Sequence, residues 1–339
     1  MMDTVAELGY TDFSQAPKKN VHEAPFERNC SVGRTIAIIG DTWTFMILRE
    51  CYFGIKRFSQ FQDILKIPRT TLSTRLQMLT EEGILQKVPY NTSTTRFEYR
   101  FTQQGLGLYS VMISLISFGD KWLSDANPLP VKLFHRNCGQ VLKAIVACSQ
   151  CRREVKGQDV SYRNGPGSGW SPMDPERVKS RHSHFFKSTE SVRPSSVART
   201  LSIIGDRWSF MVVREAFFGV RRFDELQTAL GISPNILANR LSKFIQNGIL
   251  IKIPYQDTPP RYEYKLTNMG RDLFGPFIAM LEWGDQWLSN NLPPLLLTHK
   301  VCRNDFRPCV ICSHCGEAII PQQVRYEMSY PNPVNASSN

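Results

Sequence analysis

The sequence predicts an α+β, mostly helical protein made of two winged helix-turn-helix domains, each followed by a small Cys/His, zinc-ribbon-like tail. Three observations predict it. Residues 31–124 overlay residues 196–289 without a gap, at a constant offset of 165, with 41 of 94 positions identical. Within each copy, two short amphipathic segments and a turn precede an alternating hairpin. After each copy the pattern H-x2-C-x9-C-x2-C recurs.

The duplication comes first because it organises the rest. SVGRTIAIIGDTWTFMILRE returns as SVARTLSIIGDRWSFMVVRE, and EEGILQKVPY as QNGILIKIPY. A chain of 339 residues with 42% hydrophobic and 11% aromatic content has material for two cores. The expected parts are an N-terminal extension (1–25), a first winged domain (26–125), a first Cys/His tail (130–165) and a linker (166–194). A second winged domain (195–290), a second tail (295–330) and a C-terminal tail (331–339) follow. The stretch between the copies, roughly 153–195, is rich in Gly, Pro, Ser and charge and reads as a mobile linker. His182 and His184 within it read as solvated.

Within one copy, Ile36, Ile39, Trp43, Phe45 and Ile47 fall on buried helix faces interrupted by Gly40. Trp43 and Trp208 read as core in preference to ligand-stacking groups. FSQFQDIL, with FDELQTAL in the second copy, forms a short helix. A brief turn leads to a second helix over about 69–82, the arrangement of a helix-turn-helix. Gly83 ends that helix as a C-cap glycine does. ILQKVPY and RFEYRFT then alternate around NTSTT as a two-stranded wing, repeated by ILIKIPY and RYEYKLT around QDTPP. A last helix, about 103–124, carries more apolar surface than one small domain needs. It is expected to pack on a partner domain, 103–124 against 268–289.

These residues resemble the HxlR-type regulators of bacteria and archaea. The resemblance rests on IIGDTW with ILRE, GIKRF, TLSTRL, EEGIL, RFEY with Thr102 and Gly105, and FGDKWL, and it spans both copies, about 190 residues. It implies a winged helix that binds DNA as a dimer through N- and C-terminal helices. Two copies in one chain then look like a dimer closed covalently.

Composition fits a polyanionic partner, with a net charge of +11 and a pI near 9.3. On helix 69–82, Leu72, Leu76 and Leu79 form the buried stripe. Arg69, Thr70, Ser73, Thr74 and Gln77 face outward, toward base edges of a major groove. In the second copy Asn235, Ala238, Asn239 and Ser242 hold that face, with Lys243 beyond. Lys56, Arg57, Arg221 and Arg222 open the first helix of each motif and suit phosphate contacts. Arg96 and Arg261 flank the wing tips, where groove or backbone contact competes with an ion pair to Glu98 or Glu263. Arg75 and Arg240 either clamp a phosphate or brace the helix; the sequence leaves both open. Over 69–80 only Leu72, Arg75 and Leu76 match between copies. Scaffold was kept and reading face changed, so an asymmetric operator is expected.

His135, Cys138, Cys148 and Cys151, then His299, Cys302, Cys312 and Cys315, supply two sets of soft ligands suited to tetrahedral structural zinc, with buried thiols as the alternative. Cys309 and His314 have Ile145 and Gln150 as counterparts and are not expected to be ligands. Cys30 stands where some members of the family carry a reactive cysteine and is the candidate thiol sensor; its counterpart is Ser195.

The expected partner is therefore double-stranded DNA, with a small-molecule or redox effector and further self-association as open possibilities. Neither an apolar run of membrane length nor a secretion signal is seen, so a cytoplasmic protein is expected. No nucleophile–base pair, phosphate loop or carboxylate pair points to an enzyme. The competing reading is a winged-helix interaction scaffold without specific DNA binding.

Overall fold

The computed structural model describes residues 26–89, 97–124, 129–172 and 195–330. The chain separates into two compact units. One, called unit I here, comprises described residues 35–89, 97–124, 129–145, 195–205 and 310–330. The other, unit II, comprises 26–34, 146–172 and 206–309. Each unit therefore draws on both repeats.

Repeat 1 contributes to unit I the helices α2 (Thr42–Tyr52), α3 (Phe58–Leu65) and α4 (Arg69–Glu81), and the wing β2 (Leu85–Pro89) with β3 (Phe97–Phe101). The expected final helix is divided into α5 (Gln103–Gly107) and α6 (Tyr109–Trp122). Leu72, Leu76 and Leu79 are fully buried, as their stripe requires. Wing register runs from Leu85 opposite Phe101 to Pro89 opposite Phe97.

The first helix of repeat 2, α7 (Ser196–Ile204), belongs to unit I and lies along α6. The Ser196 hydroxyl donates to Asp120, Thr200 to the Leu115 carbonyl (3.0 Å) and Arg199 to the Leu123 carbonyl (3.4 Å). Unit II shows the counterpart. Its winged helix consists of α8 (Arg207–Phe217), α9 (Phe223–Leu230), α10 (Pro234–Gln246), β8 (Leu250–Gln256), β9 (Arg261–Leu266), α11 (Asn268–Asp272) and α12 (Phe274–Leu288). Here residues from the start of α1 (Ser31–Ile39) serve α12: Ser31 donates to Asp285 (2.5 Å) and Arg34 to the Leu288 carbonyl (3.3 Å). The start of α1 and the whole of α7 thus each serve the winged helix of the other repeat.

The tails cross in the same way. In unit I, β13 (Val324–Met328) of the second tail pairs antiparallel with β4 (Val131–His135) of the first. In unit II, β6 (Val160–Asn164) pairs with β10 (Leu295–His299), whose other edge holds β11 (Asn304–Asp305). β5 (Ala144–Cys148) and β12 (Pro308–Cys312) complete the tails.

Two expectations change. Residues 153–172 of the stretch read as a mobile linker are folded, carrying β6 and also β7 (Trp170–Pro172), which pairs with β1 (Phe26–Arg28), and 173–194 lie outside the described residues. Its glycines serve close approach instead of flexibility. A Cβ on Gly165 or Gly167 would stand 2.1 Å from the Pro293 carbonyl oxygen or 2.0 Å from that of Leu292. Their amides donate to Pro294 (2.9 Å) and Pro293 (3.2 Å). His182 and His184 lie outside the described residues. Trp43 and Trp208, read as core, are half-buried. Among the described residues no helix is long and apolar enough to cross a membrane.

Candidate nucleic-acid interface and metal centres

Each helix-turn-helix pairs a short helix, α3 or α9, with a longer one, α4 or α10, and the helix before it, α2 or α8, packs on the longer one. Asp41 and Asp206 cap α2 and α8, accepting from the amides of Thr44 and Ser209 at 3.1 Å. The same carboxylates receive Arg75 (3.4 Å) and Arg240 (3.1 Å) from the longer helices. These ion pairs form the internal brace that was one of the two alternatives left open by the sequence. Both arginines brace the motif internally, which accounts for the match at this position between otherwise divergent faces.

The outward face agrees with the helical phase. Arg69, Thr70, Ser73, Thr74 and Gln77 are exposed, as are Asn235, Ala238, Asn239 and Ser242. Several are engaged locally: Thr74 donates to the Thr70 carbonyl, Gln77 to Glu81, and Asn239 accepts from Arg240. Lys243 is half-buried; burial lowers its ammonium pKa, with Asp206 opposing.

Lys56, Arg57, Arg221 and Arg222 are exposed at the starts of α3 and α9. Their backbones are tied to the wing: the Tyr99 amide donates to Lys56 and that of Tyr264 to Arg221, both at 2.8 Å. Other cations pair with the wing glutamates. Glu98 meets Arg57 (3.5 Å) and Arg100 (2.9 Å), and Glu263 meets Arg222 (3.9 Å) and Lys265 (3.1 Å). The hydrogen bond from Arg100 chiefly holds the Glu98 carboxyl below its ordinary pKa. Arg222 also lies over the Tyr255 ring at 4.6 Å. Arg261 is exposed beside the wing turn, and Arg96 lies outside the described residues.

The candidate metal ligands regroup. Instead of one set per tail, His135 and Cys138 meet Cys312 and Cys315 in unit I, and Cys148 and Cys151 meet His299 and Cys302 in unit II. Each set takes one half-site from each tail, because the strands that carry them have crossed. In unit I, His135 Nδ1 stands 3.2 Å from Cys315 Sγ and 3.6 Å from Cys138 Sγ, and Cys138 Sγ 3.9 Å from Cys312 Sγ. In unit II, His299 Nδ1 stands 3.3 Å from Cys151 Sγ and 3.5 Å from Cys302 Sγ, and Cys148 Sγ 3.9 Å from Cys302 Sγ. Ligands on a tetrahedral zinc, at about 2.3 Å for sulfur and 2.0–2.1 Å for nitrogen, stand roughly 3.5–3.8 Å apart. Both sets fit.

A shared local fold makes the half-sites. His135, Cys148, His299 and Cys312 each end a strand. Four residues on, the amides of Gly139, Arg152, Arg303 and Gly316 donate back to those residues' carbonyls at 2.7–2.9 Å, all four with φ between 59° and 73°. Two arginines thus hold a left-handed conformation that ordinarily favours glycine. Sequence reading missed this fourfold turn; Gly139 and Gly316, each just after a ligand cysteine, were the available signal. Cys309 lies outside both sets and its thiol donates to the Ala147 carbonyl (3.3 Å).

Comparison with known proteins decides the family. The family model described as HxlR-like helix-turn-helix matches residues 38–127 and again 203–292, more than half of the chain. The chain belongs to the HxlR-like helix-turn-helix family. An uncharacterized HTH-type transcriptional regulator of Mycobacterium tuberculosis is 43% identical over 133 residues, 39% of this chain and 84% of its own. Another, of Synechocystis, is 38% identical over 93 residues, 27% of this chain and 69% of its own. Among solved structures, the reduced form of the transcriptional regulator YodB from Bacillus subtilis is 31% identical. It covers 27% of this chain and 91% of its own, with a TM-score of 0.25. As an HxlR-like protein carrying the motif twice, the chain is a helix-turn-helix transcription regulator.

Proposed function

We propose that this protein is a sequence-specific DNA-binding repressor, acting as an intramolecular pseudo-dimer of two winged helices that occludes a promoter. The single observation that carries this is the pair of exposed faces on α4 and α10. Each is held out from a buried leucine stripe and braced from behind by Arg75 or Arg240. Lys56, Arg57, Arg221, Arg222 and Arg261 surround these faces with exposed positive charge. Zinc at each crossed Cys3His set is the structural cofactor of this reading. Cys30, whose Sγ accepts from the Gly33 amide at 3.4 Å, is its candidate thiol sensor.

Equilibrium binding to duplex DNA tests the proposal. Neutralising six phosphates should cost about a thousandfold in affinity between roughly 50 and 200 mM salt. Salt-independent binding, or none, favours the interaction-scaffold reading. Ile236, exposed beside Ala238 on α10, is the feature that supports that second reading.

A further inference from the structure

We propose that unit II contains a binding site for one small, neutral, flat aromatic molecule bearing a hydroxyl or amino donor. The site is a small cleft, about 50 Å³ in volume and open to solvent, between α8, α12 and the tail strands. Phe217, Phe274, Phe277, Leu281 and Leu297 form its apolar walls, and all its lining residues belong to unit II. Such walls favour a flat ring, which can stack or meet the phenylalanines edge-on.

Polar groups at the cleft define the other half of the ligand. Asp285 lines it, with one carboxylate oxygen already accepting from Ser31. Burial, opposed by Ser31, raises the Asp285 carboxyl to about 7. Arg214 also lines the cleft, but Glu215 holds its guanidinium at 2.5–2.9 Å, which lessens the attraction for an anion. Tyr162 is half-buried at the cleft, and its hydroxyl has no hydrogen-bond partner among the described residues. An acceptor and a spare hydroxyl set in aromatic walls match a ring with one donor better than a hydrocarbon or a carboxylate.

Unit I carries different groups at the corresponding positions. There Tyr52 and Tyr109 replace Phe217 and Phe274, with ring centroids 4.8 Å apart, and the Tyr52 hydroxyl donates to the Gly105 carbonyl (2.9 Å). Tyr326, the counterpart of Tyr162, donates to the Phe53 carbonyl (3.3 Å) and packs against the Phe53 ring at 4.7 Å. Its hydroxyl is spent where that of Tyr162 is not. The site is therefore one per chain, and it does not rest on DNA binding.

Titration calorimetry of the full chain with phenol, toluene and benzoate tests it. Phenol should bind at one site, toluene more weakly and benzoate not at all. Tyr162→Phe should weaken phenol about fivefold, the effect of one lost hydrogen bond, and leave toluene unchanged. Leu281→Trp, which fills the cleft, should abolish binding. If that variant melts early, the Tyr162→Phe comparison stands alone. No phenol binding, two sites per chain, equal affinity for toluene and phenol, or phenol binding unchanged in Tyr162→Phe would each overturn the proposal.

Discussion

At the scale of single residues, position on the longer helix separates bracing from reading. Arg240 is 8% exposed and bonded to the carboxylate that caps α8. Arg240→Ala removes that partner from a largely buried aspartate and should cost about 2–4 kcal/mol of stability, read by denaturant unfolding. Asn239→Ala, on the exposed neighbour, should stay within about 0.5 kcal/mol. Helical phase made this face legible in the sequence. Arg75 and Arg240 were not, since their partners Asp41 and Asp206 lie 34 positions upstream in helix caps. The reading residues carry a separate expectation. Arg69→Ala should relax base preference in one half-site and Asn235→Ala in the other, by about 1–3 kcal/mol per lost bidentate contact. Equal losses at every base after both substitutions would mean that backbone contacts dominate.

At the scale of elements, the winged helices were legible because their signals are local: apolar period, turn glycines, strand alternation. Both HTH helices and both wings fall where the period places them. The tails were legible only as ligand types and spacing. Which half-site meets which depends on strand pairing across more than 150 residues, as in β4 with β13, and no local pattern encodes that. Elemental analysis distinguishes the two groupings. The chain should hold two zinc ions. Cys138→Ser with Cys315→Ser strikes one crossed set and should leave one ion, whereas Cys138→Ser with Cys151→Ser strikes both and should leave none. The reverse outcome would restore one set per tail, and a metal-free wild-type chain would remove zinc from the account.

At the scale of the whole molecule, the exchange explains why a duplication need not behave as two independent domains. Unit I takes α7 from repeat 2, unit II takes Ser31–Arg34 from repeat 1, and each holds half of each tail. Separating the repeats would strand the Ser196–Asp120 and Ser31–Asp285 contacts and divide both ligand sets. One chain thereby carries two unlike exposed helix faces, which identical subunits of a homodimer cannot. Arg69, Thr70, Thr74 and Gln77 on one face, and Asn235, Asn239 and Ser242 on the other, expose different hydrogen-bonding groups. The measurement that tests this most directly is selection of bound duplexes from a random pool by the full chain. The account predicts an enriched site with two dissimilar halves. A perfect palindrome, or a pool that shows no enrichment, would contradict it.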